Sequence, residues 1–568
     1  MVALFAVDAL NVLPPLLLKN FIDRVTAGTQ QFSPFLRLGL LYLVIALGQG
    51  VCRYLWRMFL IASSHRVSEK LREDYFAKLQ RLPTSFYDRH PIGDLMAMAT
   101  NDVEAVRFAI GPGLLVFADA IFLLSSIPPA MIWLSPKLTV VALAPMLLLP
   151  FIIIYAEKLV HDRFEKVQEQ FSHLSGFAQE NLEGIKIVKA FVREWTQLGR
   201  FDKLGKDFVL LNVKLAAAQS VFEPVFLLTV SLGLMSLFIF GGHAVITGVI
   251  GLGTFVAFVR YLDNLAWPMM AFGMAVTQYQ RGKTSLERLH EVFNEREEPL
   301  PRALPTPQVT VQGSKPALLE ARNLTFYYPG RAEPALLNIN FQIQPGTRTA
   351  IVGPIGSGKT TLVRLLAGLI DVEPGMLFWK GVDVTHLTLV QRREALAVVP
   401  QDAFLFSETL SWNVNMGDVH ADATPYLQLA GLTEETAQWG LSAMIGERGL
   451  NLSGGQRARV TLARALARKA PLLILDDALS SVDSETEARI LDNLTNQPTA
   501  RPERPKQQAD QALLMITHRF ARLYSFDQLL VFKDGQLVQH GAPAAVSSQT
   551  GLYKQMLELQ QMESALGV

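Results

Sequence analysis

The chain has 568 residues, too many for a single hydrophobic core, and 50% of them are hydrophobic against 18% charged, a balance that leans towards membrane. Its formal net charge of +1 gives no reason to expect nucleic acid as a partner. A single cysteine, Cys52, excludes an intramolecular disulfide and a cysteine zinc site; lying in an apolar run, it reads as a buried small residue.

In chain order, the first half is a series of apolar runs. A helix needs about 20 apolar residues to cross the hydrocarbon core, and six segments qualify, near 1–20, 36–62, 108–134, 137–157, 221–247 and 250–277. The first carries Asp8, Asn11 and two prolines and has no basic flank, so a cleaved signal peptide is not expected, and a short upstream lead-in is. The segments 63–107 and 158–214 are crowded with basic residues, among them Arg66, Lys70, Arg72, Lys186, Lys189 and Arg193, whereas "LSPK" and "VITGVIGLG" carry almost none. The positive-inside rule puts the basic segments, and with six spans the C-terminal half, in the cytoplasm. Both basic segments are too long for turns, so the membrane helices are expected to continue beyond the lipid. Within them, 82–107 and 179–194 interrupt a helical pattern with glycine, the first also with proline. Taken alone they read as ordinary loops or as short crosswise helices.

The stretch "NEREEPLPRALPTPQVTVQGSKPAL" is rich in proline and charge and reads as a linker. The expected division is a membrane domain at 1–290, a linker at 291–317 and a second domain at 318–568. In that second domain "GPIGSGKTT" (353–361) follows a strand-like "TRTAIVG" and opens onto a helix-like "TTLVRLLAGLI". This strand–loop–helix setting makes it a phosphate-binding loop, so ATP is the expected ligand. Gly353, Gly356 and Gly358 let the backbone of the loop, with Ser357, turn its N–H groups towards phosphates. Lys359 is placed to contact the β and γ phosphates, Thr360 to ligate Mg2+, and Thr361 belongs to the same cradle. "LLILDD" (472–477) reads as a buried strand ending in acid, with Asp476 placed to hold Mg2+ through water and Asp477 one residue further on. "NLSGGQ" (451–456) puts Ser453, Gly454, Gly455 and Gln456 at a helix start, a place suited to anions.

The order of these motifs resembles the ATP-binding cassette (ABC) transporters, and specifically exporter half-transporters, over practically the whole chain. The resemblance implies a membrane α-helical bundle of six transmembrane helices followed by an α/β P-loop nucleotide-binding domain, in the inner membrane with the nucleotide domain cytoplasmic. It also implies roles. Tyr328 in "LTFYYPG" would stack on adenine, with Tyr327 the weaker candidate. Gln401 in "VVPQDAFLF" would sense Mg2+ and the membrane domain. Glu447 in "IGERG" would touch the cytoplasmic loops, Asp483 in "LSSVD" would form the D-loop, and His518 in "MITHR" would be the switch histidine. The two interrupted cytoplasmic stretches look like coupling helices. In this family the signature of one subunit completes the ATP site of the other, so Ser453 would bind the γ-phosphate held by a partner, and a chain with one nucleotide domain would work as a dimer.

One position departs from the family pattern. Asp477 stands where a glutamate normally aligns the attacking water, and aspartate is one methylene shorter. A misplacement of about 1 Å costs on the order of 10²-fold in rate, so the choice lies between a tolerated substitution and a slow, degenerate site. Degenerate halves usually pair with a different chain. The runs "LREDYFAKLQ" and "FYDRHPIGDLMA", with "LILDDALSSVD", look most like the A-type subunits of bacterial heterodimeric multidrug exporters. The expected activity is ATP-driven export of small amphipathic compounds from the bilayer. The alternatives are a lipid flippase or a peptide exporter of the same architecture, with a homodimer as the alternative assembly. Among charges inside the spans, Asp119, Glu223 and Asp263 are candidate substrate ligands, with Arg260 placed to pair with Asp263. Glu223, beside Pro224, is the candidate for a cationic drug. "NQPTARPERPKQQADQ" (496–511) reads as a disordered surface insertion.

Overall fold

The computed structural model describes residues 2–28, 31–298, 316–495, 511–520 and 523–566. The central part of the expected linker and nearly all of the 496–511 insertion lie outside the described residues. Contacts divide the chain into two units, residues 1–81 with 90–295, and residues 82–89 with 296–568.

The first unit is helical. Helices α1 (Val2–Asn11) and α2 (Leu13–Thr26) are separated at Val12. The interruption has a local cause: Pro14 and Pro15 have no N–H to donate to the carbonyls one turn back. Helix α3 (Phe32–Leu79) has 48 residues, about 72 Å at 1.5 Å per residue, which exceeds any bilayer. Among the described residues three helices have the length and apolarity to cross a membrane, Phe32–Leu79, Ile92–Leu134 and Glu194–Ile246, and Pro136–Leu148 is a shorter apolar helix. The other apolar runs lie in α1, α2, Leu149–Glu183 and Leu252–Asn294. Between Leu149–Glu183 and the helix that begins at Glu194 lies the six-residue helix Ile185–Ala190, entered at Gly184 and left just before Val192 at φ 53°.

Close backbone approach ties Leu252–Asn294 to its neighbours. A Cβ on Gly253 would lie 2.2 Å from the Lys19 carbonyl oxygen, and one on Gly282 would lie 2.3 Å from the Ala109 Cβ. The Gly253 N–H donates to Asp23 Oδ1 at 2.9 Å. Further along, Ser285 donates to buried Asp102 Oδ1 at 2.8 Å, and Arg288 Nη1 lies 2.9 Å from Asp102 Oδ2. The core of this unit includes Leu123, Ile127, Met131, Leu138, Phe258 and Tyr261, all buried.

The second unit is built on two sheets. Strands β1 (Leu319–Phe326), β2 (Leu336–Ile343), β4 (Leu377–Trp379) and β5 (Val382–Asp383) form an antiparallel sheet in the order β2-β1-β4-β5. The six-stranded sheet also takes β3 (Arg348–Val352), β6 (Leu396–Val399), β7 (Leu472–Asp476), β8 (Ala512–Ile516), β9 (Gln528–Lys533) and β10 (Gln536–Gly541), ordered β10-β9-β3-β8-β7-β6. Its five strands from β9 to β6 run parallel, and β10 pairs antiparallel to β9. Strand β7 is buried at all five positions, as an unbroken apolar run between two covered faces must be. One apolar cluster, with Ile351, Leu362, Leu472 and Phe341, joins the sheets; a second packs the signature helix and Val414, Leu427 and Leu479 on the other face.

The short helix α4 (Thr84–Arg89) belongs to this second unit. Leu82 and Phe86 are buried, and Thr84 Oγ1 donates to the Leu369 carbonyl at 2.5 Å.

Candidate functional site

The parallel strands all deliver their carboxyl ends to one edge of the large sheet, where loops are free to bind ligands. In register, Ile351 of β3 sits opposite Ile516 of β8, Asp476 of β7 opposite Ile516, and Val399 of β6 opposite Leu475. The residues next in the chain, Gly353, Asp477, Thr517–His518 and Pro400–Gln401, therefore gather at that edge.

The phosphate loop is shaped by approaches that only glycine tolerates. Gly353 has φ 155°, and a Cβ there would lie 2.3 Å from the Phe532 carbonyl oxygen; Gly358 has φ 94°, with a Cβ 2.6 Å from the Ala335 carbonyl oxygen. The helix Lys359–Leu366 starts directly after the loop. Lys359 is buried and folds back over it, donating to the carbonyls of Gly353 at 2.8 Å and Pro354 at 2.7 Å and to Ser357 Oγ at 3.3 Å. Burial pulls the Lys359 ammonium down from its ordinary range, and Asp476 and Asp477 push it back up. The Tyr328 hydroxyl lies 3.2 Å from Thr361 Oγ1, which sets its ring beside the start of the phosphate helix. Tyr327 is more than half exposed and has no such contact among the described residues.

At the end of β7 two carboxylates stand side by side. Burial raises Asp476 above the ordinary carboxylate range, and the neighbouring Asp477 adds to it; Lys359, Arg364 and a hydrogen bond with Thr360 act in the opposite direction. An acidic pair whose negative charge is disfavoured by burial, next to a hydroxyl and a lysine, is a donor set that a hard divalent cation carrying phosphate oxygens would suit. Asp477 is also raised, by burial first, with His518, Arg519 and Lys359 opposing. Its backbone is left-handed, at φ 48°, and its N–H donates to the Ile516 carbonyl at 3.0 Å. The β7–β8 ladder thus fixes where the Asp477 side chain begins. Gln401 and His518 are exposed at the ends of their strands.

The signature residues are elsewhere. Ser453 caps the helix Gly454–Ala467 in a full capping box: the Gln456 N–H donates to Ser453 Oγ at 3.2 Å, and the Ser453 N–H donates to Gln456 Oε1 at 3.0 Å. A Cβ on Gly455 would lie 3.0 Å from the Ser481 carbonyl oxygen, so the signature packs on the D-loop. Among the described residues none of its hydrogen bonds reaches the phosphate loop of the same chain. Asp483 caps the next helix by accepting from the Thr486 N–H at 2.8 Å, which holds its carboxyl below the ordinary range. Glu447 opens a single helical turn with Arg448 at φ 50°.

Arg519 is a residue the motifs did not single out. It donates to the carbonyls of Ser480 at 2.9 Å and Val482 at 3.0 Å and pairs with Glu487, so it clamps the D-loop to the strand end that carries His518. The signal was its place directly after His518; its partners are distant in sequence and could not be read. Of the membrane charges, Arg260 Nη1 lies 3.5 Å from Asp263 Oδ2, Asp119 is half-buried, and the side chain of Glu223 lies outside the described residues.

Comparison with known proteins matches the chain over nearly its full length. The model of the ABC transporter transmembrane region matches residues 1–269, and the ABC transporter model matches residues 336–480. The multidrug resistance-like ATP-binding protein MdlA of Buchnera aphidicola subsp. Baizongia pistaciae is 33% identical, covering 95% of this chain and 92% of its own. Its namesake in Escherichia coli (strain K12) is 33% identical over 100% and 94%. An ATP-dependent lipid A-core flippase of Photobacterium profundum is 29% identical over 97% and 92%. Among solved structures, a bacterial Atm1-family ABC exporter with ATP bound has TM-score 0.79 at 23% identity, covering 98% of each chain, a likeness of fold.

Proposed function

Since the chain belongs to the ABC transporter family as an ATP-hydrolysing, multi-pass exporter of the inner membrane, we propose that it exports amphipathic compounds of the multidrug type as one half of a heterodimer. In this reading its own hydrolytic site is slow, and the second half supplies a glutamate where this chain has Asp477.

The observation that carries the reading is the fixed backbone of Asp477. Its N–H is held by the Ile516 carbonyl and its φ is 48°, so the strand cannot slide forward to make up the missing methylene. A carboxylate that starts from a fixed Cα and falls about 1 Å short aligns water poorly. ATP would lie along Gly353, Gly356, Ser357, Gly358, Lys359, Thr360 and Thr361, with its base on Tyr328. Thr360, Asp476 and Gln401 would hold Mg2+, which neutralises charge between the β and γ phosphates. His518 would face the γ-phosphate from β8. Ser453, Gly454, Gly455 and Gln456 would close over the nucleotide of the partner, a reading supported by a capped helix start that makes no bond to its own phosphate loop. The domain division expected from the sequence, 1–290, 291–317 and 318–568, is retained in this proposal.

The test is steady-state hydrolysis by the chain alone and by the chain purified with the product of a neighbouring half-transporter gene. The heterodimer is expected to turn over ATP and the chain alone hardly at all. Full-rate turnover by the chain alone would overturn the heterodimer. A second reading, movement of a lipid, is favoured by the relatives named lipid A-core flippases; accumulation of labelled lipid, and not of dyes, in inside-out vesicles would select it.

A further inference from the structure

The membrane unit holds a cavity of about 460 Å3 walled by α1, α2, α3 and the helix Leu252–Asn294. That volume is in the range of pockets that take drug-sized molecules, roughly 300–1,000 Å3. Much of its wall is apolar, with Phe21 beside leucines and prolines of α2. Asn11, Gln49 and Asn264 contribute carboxamides and Tyr42 a phenol, while Arg260 is the charged group among the described lining residues. None of those residues is a carboxylate.

Resting on the export reading above, we infer that this cavity binds an anionic amphiphile, its acidic head against Arg260 and the carboxamides and its apolar body against α2. Gln49 Nε2 already donates to Asn11 Oδ1 at 3.2 Å, which fixes both amides and leaves the Asn11 amide N–H groups to donate. The Arg260 guanidinium carries five donors in a fork that matches carboxylate or sulfonate. Among the described residues its acidic partner is Asp263, which meets it by a single contact of 3.5 Å and leaves most of those donors unspent. A permanent charge within a membrane helix is costly and is kept where it has a partner. A cationic head would face a like charge with no carboxylate on the wall, a juxtaposition that selects against it.

The experiment uses full-length protein, with its partner, in lipid nanodiscs. Equilibrium binding is measured for labelled taurocholate (a sulfonate), progesterone (neutral) and tetraphenylphosphonium (a cation). Wild type is expected to bind taurocholate, and Arg260→Gln to weaken it by about 10- to 100-fold, the value of a charge-assisted hydrogen bond. Arg260→Lys, which keeps the charge and loses the fork, is expected to fall between wild type and Arg260→Gln, and progesterone to change by less than about twofold. An unchanged taurocholate affinity in Arg260→Gln would mean that the arginine only reaches for the interface. Equal losses for taurocholate and progesterone, absence of taurocholate binding by wild type, or competition by tetraphenylphosphonium would each overturn the inference. ATP-driven uptake of the same probes into inside-out vesicles is scored separately. Binding without uptake sinks the export reading and leaves the site standing.

Discussion

The two units of this chain use their polar residues in opposite ways. In the nucleotide unit, polar side chains gather on loops at the ends of parallel strands, and each has a short list of atoms it must reach: Lys359 the loop carbonyls, Ser453 and Asp483 the starts of their own helices. In the membrane unit, polar residues are scattered along helices and are spent on joining them, as Asp23 joins Gly253 and Asp102 joins Ser285 and Arg288. The lesson is that a substitution at the sheet edge should break chemistry and leave the fold intact, whereas one at a helix contact should break packing and leave the nucleotide site intact.

The largest effect should come from a residue that does not serve this chain's own nucleotide. Ser453→Arg puts a bulky cation where a partner's γ-phosphate would dock. Turnover by the heterodimer should fall by about 10²- to 10³-fold, the scale of losing an oriented donor at a developing charge. Melting temperature should fall by only a few degrees, because what is lost from the fold is one exposed helix cap worth about 1 kcal/mol. Residual turnover above a tenth of wild type would show that the signature does not close the competent site.

Lys359→Ala is next. It removes the cation that lies across the phosphate loop, and photolabelling of this subunit by nucleotide should weaken about tenfold or more. Undiminished labelling would place the phosphate cradle elsewhere. Arg519→Ala should act more mildly, by about tenfold on kcat with little change in KM for ATP, since it releases the D-loop without touching nucleotide. Arg519→Lys reaches one of the two carbonyls at most and should fall between; a change confined to KM would assign Arg519 to binding.

The contrast between the units also explains what the sequence made legible. The phosphate loop, the acidic strand and the signature were readable because backbone geometry dictates the residue: Gly353 and Gly358 are glycines since a Cβ would strike a carbonyl. The glycine- and proline-interrupted stretches at 82–107 and 179–194 read as loops or as short crosswise helices, and the six-residue helices α4 and Ile185–Ala190 lie within them. Arg519 escaped because its partners Ser480, Val482 and Glu487 come from another loop. Six apolar runs were readable, but three helices among the described residues meet the length and apolarity of a span, because Pro14 and Pro15 interrupt the first run and charges enter others. The cavity beside Arg260 was invisible in sequence, since its wall is assembled from positions 11, 42, 49, 260 and 264.

On the membrane side, Gly253→Ala tests the other half of the contrast. The added methyl would lie 2.2 Å from the Lys19 carbonyl, so α2 and Leu252–Asn294 must part. Overpacking of this kind costs about 1–3 kcal/mol. The purified protein should melt at a lower temperature, and nucleotide photolabelling below that temperature should stay at the wild-type level. An unchanged melting temperature would show that the two helices are free to separate.

The smallest effect is the most informative. Asp477→Asn removes a carboxylate next to the expected magnesium position, at a site where an ordinary hydrolytic base would be indispensable. If Asp477 is already too short to align water, heterodimer turnover should change by less than about twofold, since the loss on the order of 10²-fold has been taken in the native sequence. The Asp477 backbone is held by the Ile516 carbonyl, so asparagine can adopt the same left-handed turn without strain and the fold should not respond. Asp477→Glu is the reverse arm. One more methylene should restore reach, and the chain alone should then gain measurable turnover, provided that Ser453 of a second copy closes the site. Elimination of heterodimer hydrolysis by Asp477→Asn would show that aspartate serves as the working base, and the two ATP sites of the assembly would then be equivalent in chemistry.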